Sequence, residues 1–167
     1  MTNDRLSAGF EYRFDIFDKH GVLVESSIEK NLMPLEGQHW LLNLAFKAGS
    51  PVANWYIGLY DNAYTPTIND EMVDFPADAG ENVSYSEATR QLFVPGTVAI
   101  GTVDNVASKA EFTFAADTVL AGGFMSSSSA KGSTSGVLIS AVRFGSPKSV
   151  SAGGTLKVTA GFTLASI

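Results

Sequence analysis

The sequence has no cysteine, only two histidines and few charged residues for a chain of 167. Without cysteine it can form neither a disulfide nor a thiolate metal site, so folding does not depend on the redox state of the compartment. Charged residues make up 17% of the chain, below the roughly 25% of typical soluble domains. This composition is typical of an ordinary β-protein, and equally of a protein whose surface is covered by other proteins.

Basic character and long apolar runs are also missing. The formal net charge is −6, whereas a nucleic-acid-binding protein needs a basic surface that displaces counterions. The same charge disfavours binding to an anionic membrane. No apolar run approaches the roughly 20 residues of a membrane span, and Met1–Arg5 is not followed by the apolar segment of a signal peptide. We therefore expect synthesis in the cytoplasm, with no membrane or nucleic-acid partner.

Catalytic motifs are not evident. His20 lies in a predicted turn and His39 near the start of a predicted helix. No Gly-x-Ser-x-Gly sequence accompanies them, as the nucleophile of an α/β-hydrolase would require. Zinc needs three or four His, Cys or carboxylate ligands. We therefore predict that the chain is not an enzyme and has no cofactor or metal ion.

Residues 68–85 are acidic and show no hydrophobic period. Asp70, Glu71, Asp74 and Asp78 supply oxygen ligands suited to calcium, but the order of acids and glycine in an EF-hand loop is missing. A solvated acidic loop is the favoured interpretation. Because long loops in compact domains are usually functional or mobile, this loop is a candidate for contacts with a partner.

The centre of the chain is the apolar stretch 52–60. Its aromatic and β-branched residues favour a strand, and its nearly continuous apolar character indicates a strand covered on both faces. Gly58 leaves space for a backbone or a large ring to approach. We expect the sheet to be built around residues 54–60.

A hairpin and a helix precede this strand. Residues 10–17 alternate apolar and polar side chains, and residues 22–28 return after a turn, so 10–28 is predicted to be a β-hairpin. Residues 35–47 carry an apolar stripe with helical spacing. Gly49 and Pro51 follow, which predicts that the helix ends there.

From residue 91 onward the pattern consists of short strands separated by turns. Regularly spaced short strands favour a β-sandwich or jelly roll. We therefore predict a mainly all-β, sandwich or jelly-roll-like fold with one inserted helix near 35–47. The chain is interpreted as one domain, 1–167, in which 1–30 is an N-terminal hairpin extension. The Ser-rich stretch 126–135 is predicted to be a flexible tip.

Several short motifs occur in a recognisable order along residues 31–165. They are Asn31-Leu32-Met33-Pro34-x-Glu36-Gly37, Trp55-Tyr56-Ile57-Gly58-Leu59-Tyr60, Tyr64-Thr65-Pro66, Phe75-Pro76, Phe112-Thr113-Phe114, Gly123-Phe124-Met125-Ser126-Ser127, Arg143-Phe144-x-x-Pro147-Lys148 and Leu156-x-Val158-Thr159. This series resembles a family of small structural proteins of tailed bacteriophages and prophages, described as head decoration or cement proteins. The 10–28 hairpin is similar to an extension that only some members carry.

The resemblance implies a virion protein on the capsid surface that binds and stabilises the mature head. It implies the major capsid protein as partner, and a decoration protein also often self-associates, so we expect a homo-oligomer, either a dimer or a trimer. A subunit that binds only the mature shell stabilises that state by mass action. The hairpin and the acidic loop are the candidate contacts, and the candidate interaction residues are Phe10, Tyr12, Phe14, Tyr64, Asp70, Glu71 and Asp74.

Two alternatives remain open. The same β-domain could be a tail or fibre component. It could also be a carbohydrate-binding module that uses exposed rings of Trp55, Tyr56, Tyr60 or Tyr64, although aromatic residues in such strands usually fill the core.

Overall fold

Two antiparallel sheets of five strands each face one another in this computed structural model, which describes residues 6–166. The predicted all-β, sandwich-like class with one main helix is confirmed. The elements, in chain order, are β1 (Leu6–Phe17), β2 (Leu23–Lys30), α1 (Leu35–Phe46), β3 (Trp55–Tyr60), α2 (Phe75–Asp78), β4 (Glu81–Asn82), β5 (Gln91–Phe93), β6 (Thr102–Asp104), β7 (Ala110–Thr113), β8 (Thr118–Ser126), β9 (Leu138–Val150) and β10 (Thr155–Ser166).

The first sheet has the order β2-β1-β10-β6, and β7 also pairs with β10. Strand β1 pairs with β10 over its whole length, from Leu6 opposite Ser166 to Phe17 opposite Thr155. The apolar face of β1 therefore lies in the middle of the sheet and contributes to the core. The predicted hairpin exists, but it is built into the sheet and is not an appendage.

The second sheet has the order β4-β3-β8-β9, and β5 also pairs with β3. Residues Ile57 and Leu59 of β3 belong to the core between the sheets, whereas Tyr60 belongs to a second apolar cluster. Strand β3 is thus covered on both faces, as its apolar sequence predicted. Gly58 lies directly against the ring of Phe124, with no room for a Cβ atom, which confirms the predicted close approach of a ring.

Helix α1 covers part of β9, and Gly37 sets the distance. A Cβ atom on Gly37 would lie 2.8 Å from the Cα of Ile139 and 2.9 Å from its carbonyl oxygen. The Glu36 carboxylate accepts hydrogen bonds from the backbone N–H of Leu138 at 2.6 Å and of Met72 at 2.9 Å. Residues 36 and 37 therefore fix the start of the helix on the second sheet.

Buried polar side chains join the two sheets. The hydroxyl of Tyr12 in β1 donates to Ser140 Oγ in β9 at 2.8 Å, and Asn31 Nδ2 donates to the same oxygen at 2.8 Å. Lys148 of β9, which is 3% exposed, donates to Glu25 of β2 at 2.7 Å. Burial raises the pKa of Tyr12, so its hydroxyl remains a hydrogen-bond donor. These contacts keep β1 and β2 in fixed register over β9.

Candidate functional site

The aromatic residues of the hairpin do not form a surface. Phe10, Tyr12 and Phe14 are buried in the core, and the ring of Phe14 packs edge-on against Phe144 at 4.5 Å between centroids. The expectation that these three residues contact a partner is wrong, because their strand lies between β2 and β10 and its apolar face points toward the other sheet.

Tyr64 lies against the turn at residues 67–70, which contains Asp70. The Tyr64 hydroxyl donates to Asp70 Oδ1 at 2.8 Å, and Asp70 also accepts hydrogen bonds from the backbone N–H and the hydroxyl of Thr67. Burial, together with the hydrogen bond to the Asp70 carboxylate, raises the pKa of Tyr64 to about 12. The two side chains are half-buried, and their hydrogen bonds hold the turn in one conformation.

The acidic segment is anchored to the protein rather than detached from it. Met72 and Phe75 are buried in the second apolar cluster, which covers the outer face of the second sheet. Glu71 and Asp74 are exposed between these anchors. The predicted acidic loop is therefore solvated only in part: its irregularly spaced apolar residues pack on the apolar sheet face, while its acids remain outside. Within residues 6–166, no three His, Cys, Asp or Glu side chains are close enough to hold a metal ion.

The aromatic residues considered for carbohydrate binding do not share one surface. The half-buried Trp55 ring packs edge-on against Trp40 at 4.9 Å. Tyr60 is buried and donates its hydroxyl to the Val142 carbonyl at 3.0 Å. Tyr64 packs edge-on against Phe75 at 5.8 Å. Tyr60 and Tyr64 thus both pack against Phe75 in the second apolar cluster, whereas Trp55 packs against the core between the sheets.

The Ser-rich stretch after β8 is tied down by two cations. Arg90 donates to the backbone carbonyls of Ser128 at 3.1 Å and Ser133 at 2.9 Å, while its guanidinium is paired with Glu81. Lys131 donates to the Tyr85 carbonyl at 2.7 Å, and its ammonium lies 3.7 Å from the centre of the Tyr85 ring. The predicted flexible tip is therefore a loop held against residues 81–90.

Sequence reasoning missed an exposed apolar ridge on helix α1. Leu35, His39, Leu42 and Phe46 are spaced by three or four residues and so lie on one face of the helix. All four are exposed, and Phe46 is 81% exposed. The helix has a second apolar face toward the core, which Trp40 and Leu41 occupy. The sequence does place apolar residues on two sides of this helix. The stripe that faces the core was sufficient to predict a helix, so the second, outer stripe was not considered.

The ridge continues into the acidic segment. The backbone N–H of Leu35 donates to the Ile68 carbonyl at 2.8 Å, and Ile68 is itself exposed. The exposed apolar side chains of the helix and of Ile68 are thus followed in the chain by the exposed acids Glu71 and Asp74. We call this the contact surface; its residues are Leu35, Leu42, Phe46, Ile68, Glu71 and Asp74.

The contact surface has the composition of a protein interface more than of a chemical site. An apolar centre with a charged border is typical of surfaces that bind another protein, and exposed apolar patches on soluble proteins mark interaction sites. Both of its parts are held by hydrogen bonds that the Glu36 and Asp70 carboxylates accept from the backbone N–H groups of Met72 and Thr67. The surface is therefore formed before any partner binds.

Comparisons with known proteins add no relative: no protein-family model matches the chain, and no curated protein matches it. Within the described residues, no helix has the length and apolar character needed to cross a membrane.

Proposed function

We propose that the chain is a structural virion protein of a tailed bacteriophage, a capsid decoration protein that binds the major capsid protein and stabilises the mature head. The observation that carries this proposal is the contact surface, in which Leu42 and Phe46 are exposed on α1 and Leu35, at the start of the same helix, is hydrogen-bonded to the exposed Ile68. The ordered motifs along residues 31–165 support the same assignment. Function by adhesion requires no reacting group, so the chain is not an enzyme in this account.

A rigid scaffold supports binding of this kind. The loops at residues 61–90 and 127–137 are fixed by buried Arg90 and Phe75 and by the half-buried Glu36. Rigid loops lose little conformational entropy on binding, and this loss would otherwise reduce the affinity. A subunit that must attach in many copies gains from such preorganisation.

The proposal includes self-association through β2. Within residues 6–166 β2 pairs only with β1, so its other edge has no strand partner. The Asn31 N–H donates to the Phe10 carbonyl, and the alternation of an antiparallel ladder then directs the N–H and C=O groups of Ser26 and Ile28 away from β1. Unpaired edges of this kind pair readily with another strand.

The charges of β2 select one register for pairing with a second copy. Centring the pair on Ser26 places Val24 opposite Ile28 twice, and both residues are exposed. A centre at residue 25 places Glu25 opposite Glu25, and a centre at residue 27 places Glu25 opposite Glu29. Like charges directly opposite each other are destabilising. A two-fold dimer with Ser26 at its centre is the arrangement that this strand favours.

Electron microscopy of the particle encoded with this chain tests the function. The proposal expects density for the sandwich on the outer surface of the head, with α1 facing the capsid protein. Density for the subunit on the tail or its fibres alone would instead make the chain a tail component. The absence of such density from both head and tail would overturn both assignments.

A further inference from the structure

A cavity of about 160 Å³ lies at one end of the sandwich, between the two sheets and under helix α1. All the residues that line it have apolar side chains: Phe10, Met33, Trp40, Leu41, Trp55, Phe93, Val103, Met125, Ile139 and Phe162. Phe10, Phe93, Met125 and Ile139 are buried and form its floor. The other six lining residues are half-buried and lie toward its open mouth: Met33, Trp40, Leu41, Trp55, Val103 and Phe162.

Contacts among the lining residues, and of helix α1 with β9, hold the walls of this cavity in place. The Trp40 and Trp55 rings meet edge-on at 4.9 Å with an interplanar angle of 83°, and Phe10 packs against Phe162 at 4.9 Å. Helix α1 cannot move inward, because Gly37 already touches the backbone of Ile139. The space is therefore a preformed cavity that side-chain collapse does not close.

The size and chemistry of the cavity define what it can hold. An enclosed apolar cavity of about 150 Å³ takes a molecule such as benzene or xenon, and this cavity has a similar volume but opens to solvent at its mouth. A charged or strongly polar ligand would lose its hydration and meet no polar side chain in return, which is unfavourable. Aromatic rings at the walls offer edge-to-face contacts to an aromatic guest.

We propose that this cavity is a binding site for a small, neutral, apolar molecule of ring size, with about six to nine non-hydrogen atoms. The site is separate from the contact surface: Trp40 and Leu41 face the cavity, whereas Leu42 and Phe46 lie on the outer side of the same helix. The proposal is independent of the virion assignment and holds for the isolated chain.

Tryptophan fluorescence gives a direct test, because the two tryptophans of the chain both line the cavity. Toluene is the probe, and benzoate is its charged counterpart of similar shape. Toluene is expected to change the fluorescence in a saturable way and to raise the melting temperature, since a ligand that binds the folded state stabilises it. Benzoate is expected to do neither.

A filled cavity provides the decisive variant. Val103→Phe places a ring at the mouth and is expected to weaken toluene binding at least about tenfold, which corresponds to about 1.4 kcal/mol. Val119→Phe makes the same change at an exposed position outside the cavity and should bind as the wild type does. Leu41→Phe fills the mouth from the helix side, and it replaces Val103→Phe if that variant does not fold.

Two results would overturn the proposal. One is the lack of any saturable response to toluene up to its solubility limit. The other is equal toluene binding in the wild type and in a folded cavity-filling variant, because the molecule would then bind elsewhere.

Discussion

Arg90 and Glu81 form a buried, bidentate ion pair. Arg90 Nε lies 2.8 Å from Glu81 Oε1 and Nη2 lies 2.7 Å from Oε2, with the side chains 0% and 2% exposed. The same guanidinium reaches the Ser-rich loop, and Glu81 Oε2 also accepts the backbone N–H of Gly132 at 2.9 Å. This pair joins two segments that the sequence alone presents as separate loops.

Removal of Arg90 should therefore destabilise the protein strongly. Arg90→Met leaves the Glu81 carboxylate buried without its partner, and we expect a loss of about 3–5 kcal/mol of unfolding free energy in urea denaturation. Arg90→Met/Glu81→Gln removes both charges and should recover part of that loss. The control is Lys157→Met, which breaks the exposed Lys157–Glu111 pair and should cost less than about 1 kcal/mol. Equal losses for the two single variants would contradict the buried-pair account.

The close contact of Gly37 predicts an unusual response to alanine. Gly37→Ala improves helix propensity by about 1 kcal/mol, but the new methyl group meets the Ile139 backbone at 2.8 Å. We expect a net loss of about 1–3 kcal/mol, as is typical of overpacking, measured by thermal unfolding. The exposed Ala48 has the left-handed φ of 51°, so Ala48→Gly just after the same helix should have the opposite sign, a gain of about 0.5–1 kcal/mol. A more stable Gly37→Ala protein would show that the helix does not rest on β9.

Asp15 gives the protein a specific acid sensitivity. Burial opposes ionisation, but hydrogen bonds from Arg13, Ser26 and Lys109 outweigh it and lower the pKa of Asp15 to about 2. In the unfolded chain the carboxyl has a pKa of about 3.9. The stabilisation is therefore complete above about pH 4 and is lost as the pH falls toward 2.

The size of this effect is about 1–2 kcal/mol, because Arg13 and Lys109 are partly exposed and water screens them. Urea unfolding between pH 4 and 2 should show a steeper loss of stability for the wild type than for Asp15→Asn. Parallel curves for the two proteins would mean that Asp15 does not carry the effect.

The unpaired edge of β2 predicts a dimer that a proline can prevent. The N–H of Ile28 points away from β1 in the ladder described above, so Ile28→Pro keeps the pairing within the sheet and removes a donor from the free edge. Light scattering should give twice the chain mass for the wild type and the single-chain mass for a folded Ile28→Pro. Ser27→Pro is the contrasting variant, because its N–H points toward β1 and its loss should destabilise the fold. A wild-type monomer would refute this mode of association.

The strands with regular alternation were predictable from sequence, because a buried face imposes a period of two. Helix α1 was predicted as 35–47 and spans Leu35–Phe46, and the β1–β2 hairpin has its predicted turn. Among the short strands predicted from residue 91 onward, none forms at residues 97–100, because Ile100 has φ of 50° and lies in a tight turn before β6. Pro147 lies within β9 and does not end it, because the register to β8 shifts there and a proline needs no ladder partner.

The candidate site was less predictable than the fold. Tyr64, Asp70, Glu71 and Asp74 lie in one segment, as expected, but three aromatic residues of the hairpin belong to the core. Alternation identifies an apolar face without telling whether another sheet covers it. Conversely, Leu42 and Phe46 look like core residues in sequence and are exposed in the structure, because α1 presents only one side to the sheets.

Binding of the purified chain to capsids that lack it tests the central claim most directly. Co-sedimentation should show saturable binding of the wild type. Leu42→Ser/Phe46→Ser should bind at least about tenfold more weakly, since buried apolar anchors dominate interface energies. The matched control Val106→Ser/Val119→Ser removes exposed valines outside the contact surface and should bind as the wild type does. A wild-type chain that fails to sediment with capsids, or a Leu42→Ser/Phe46→Ser variant that binds as tightly, would contradict the account.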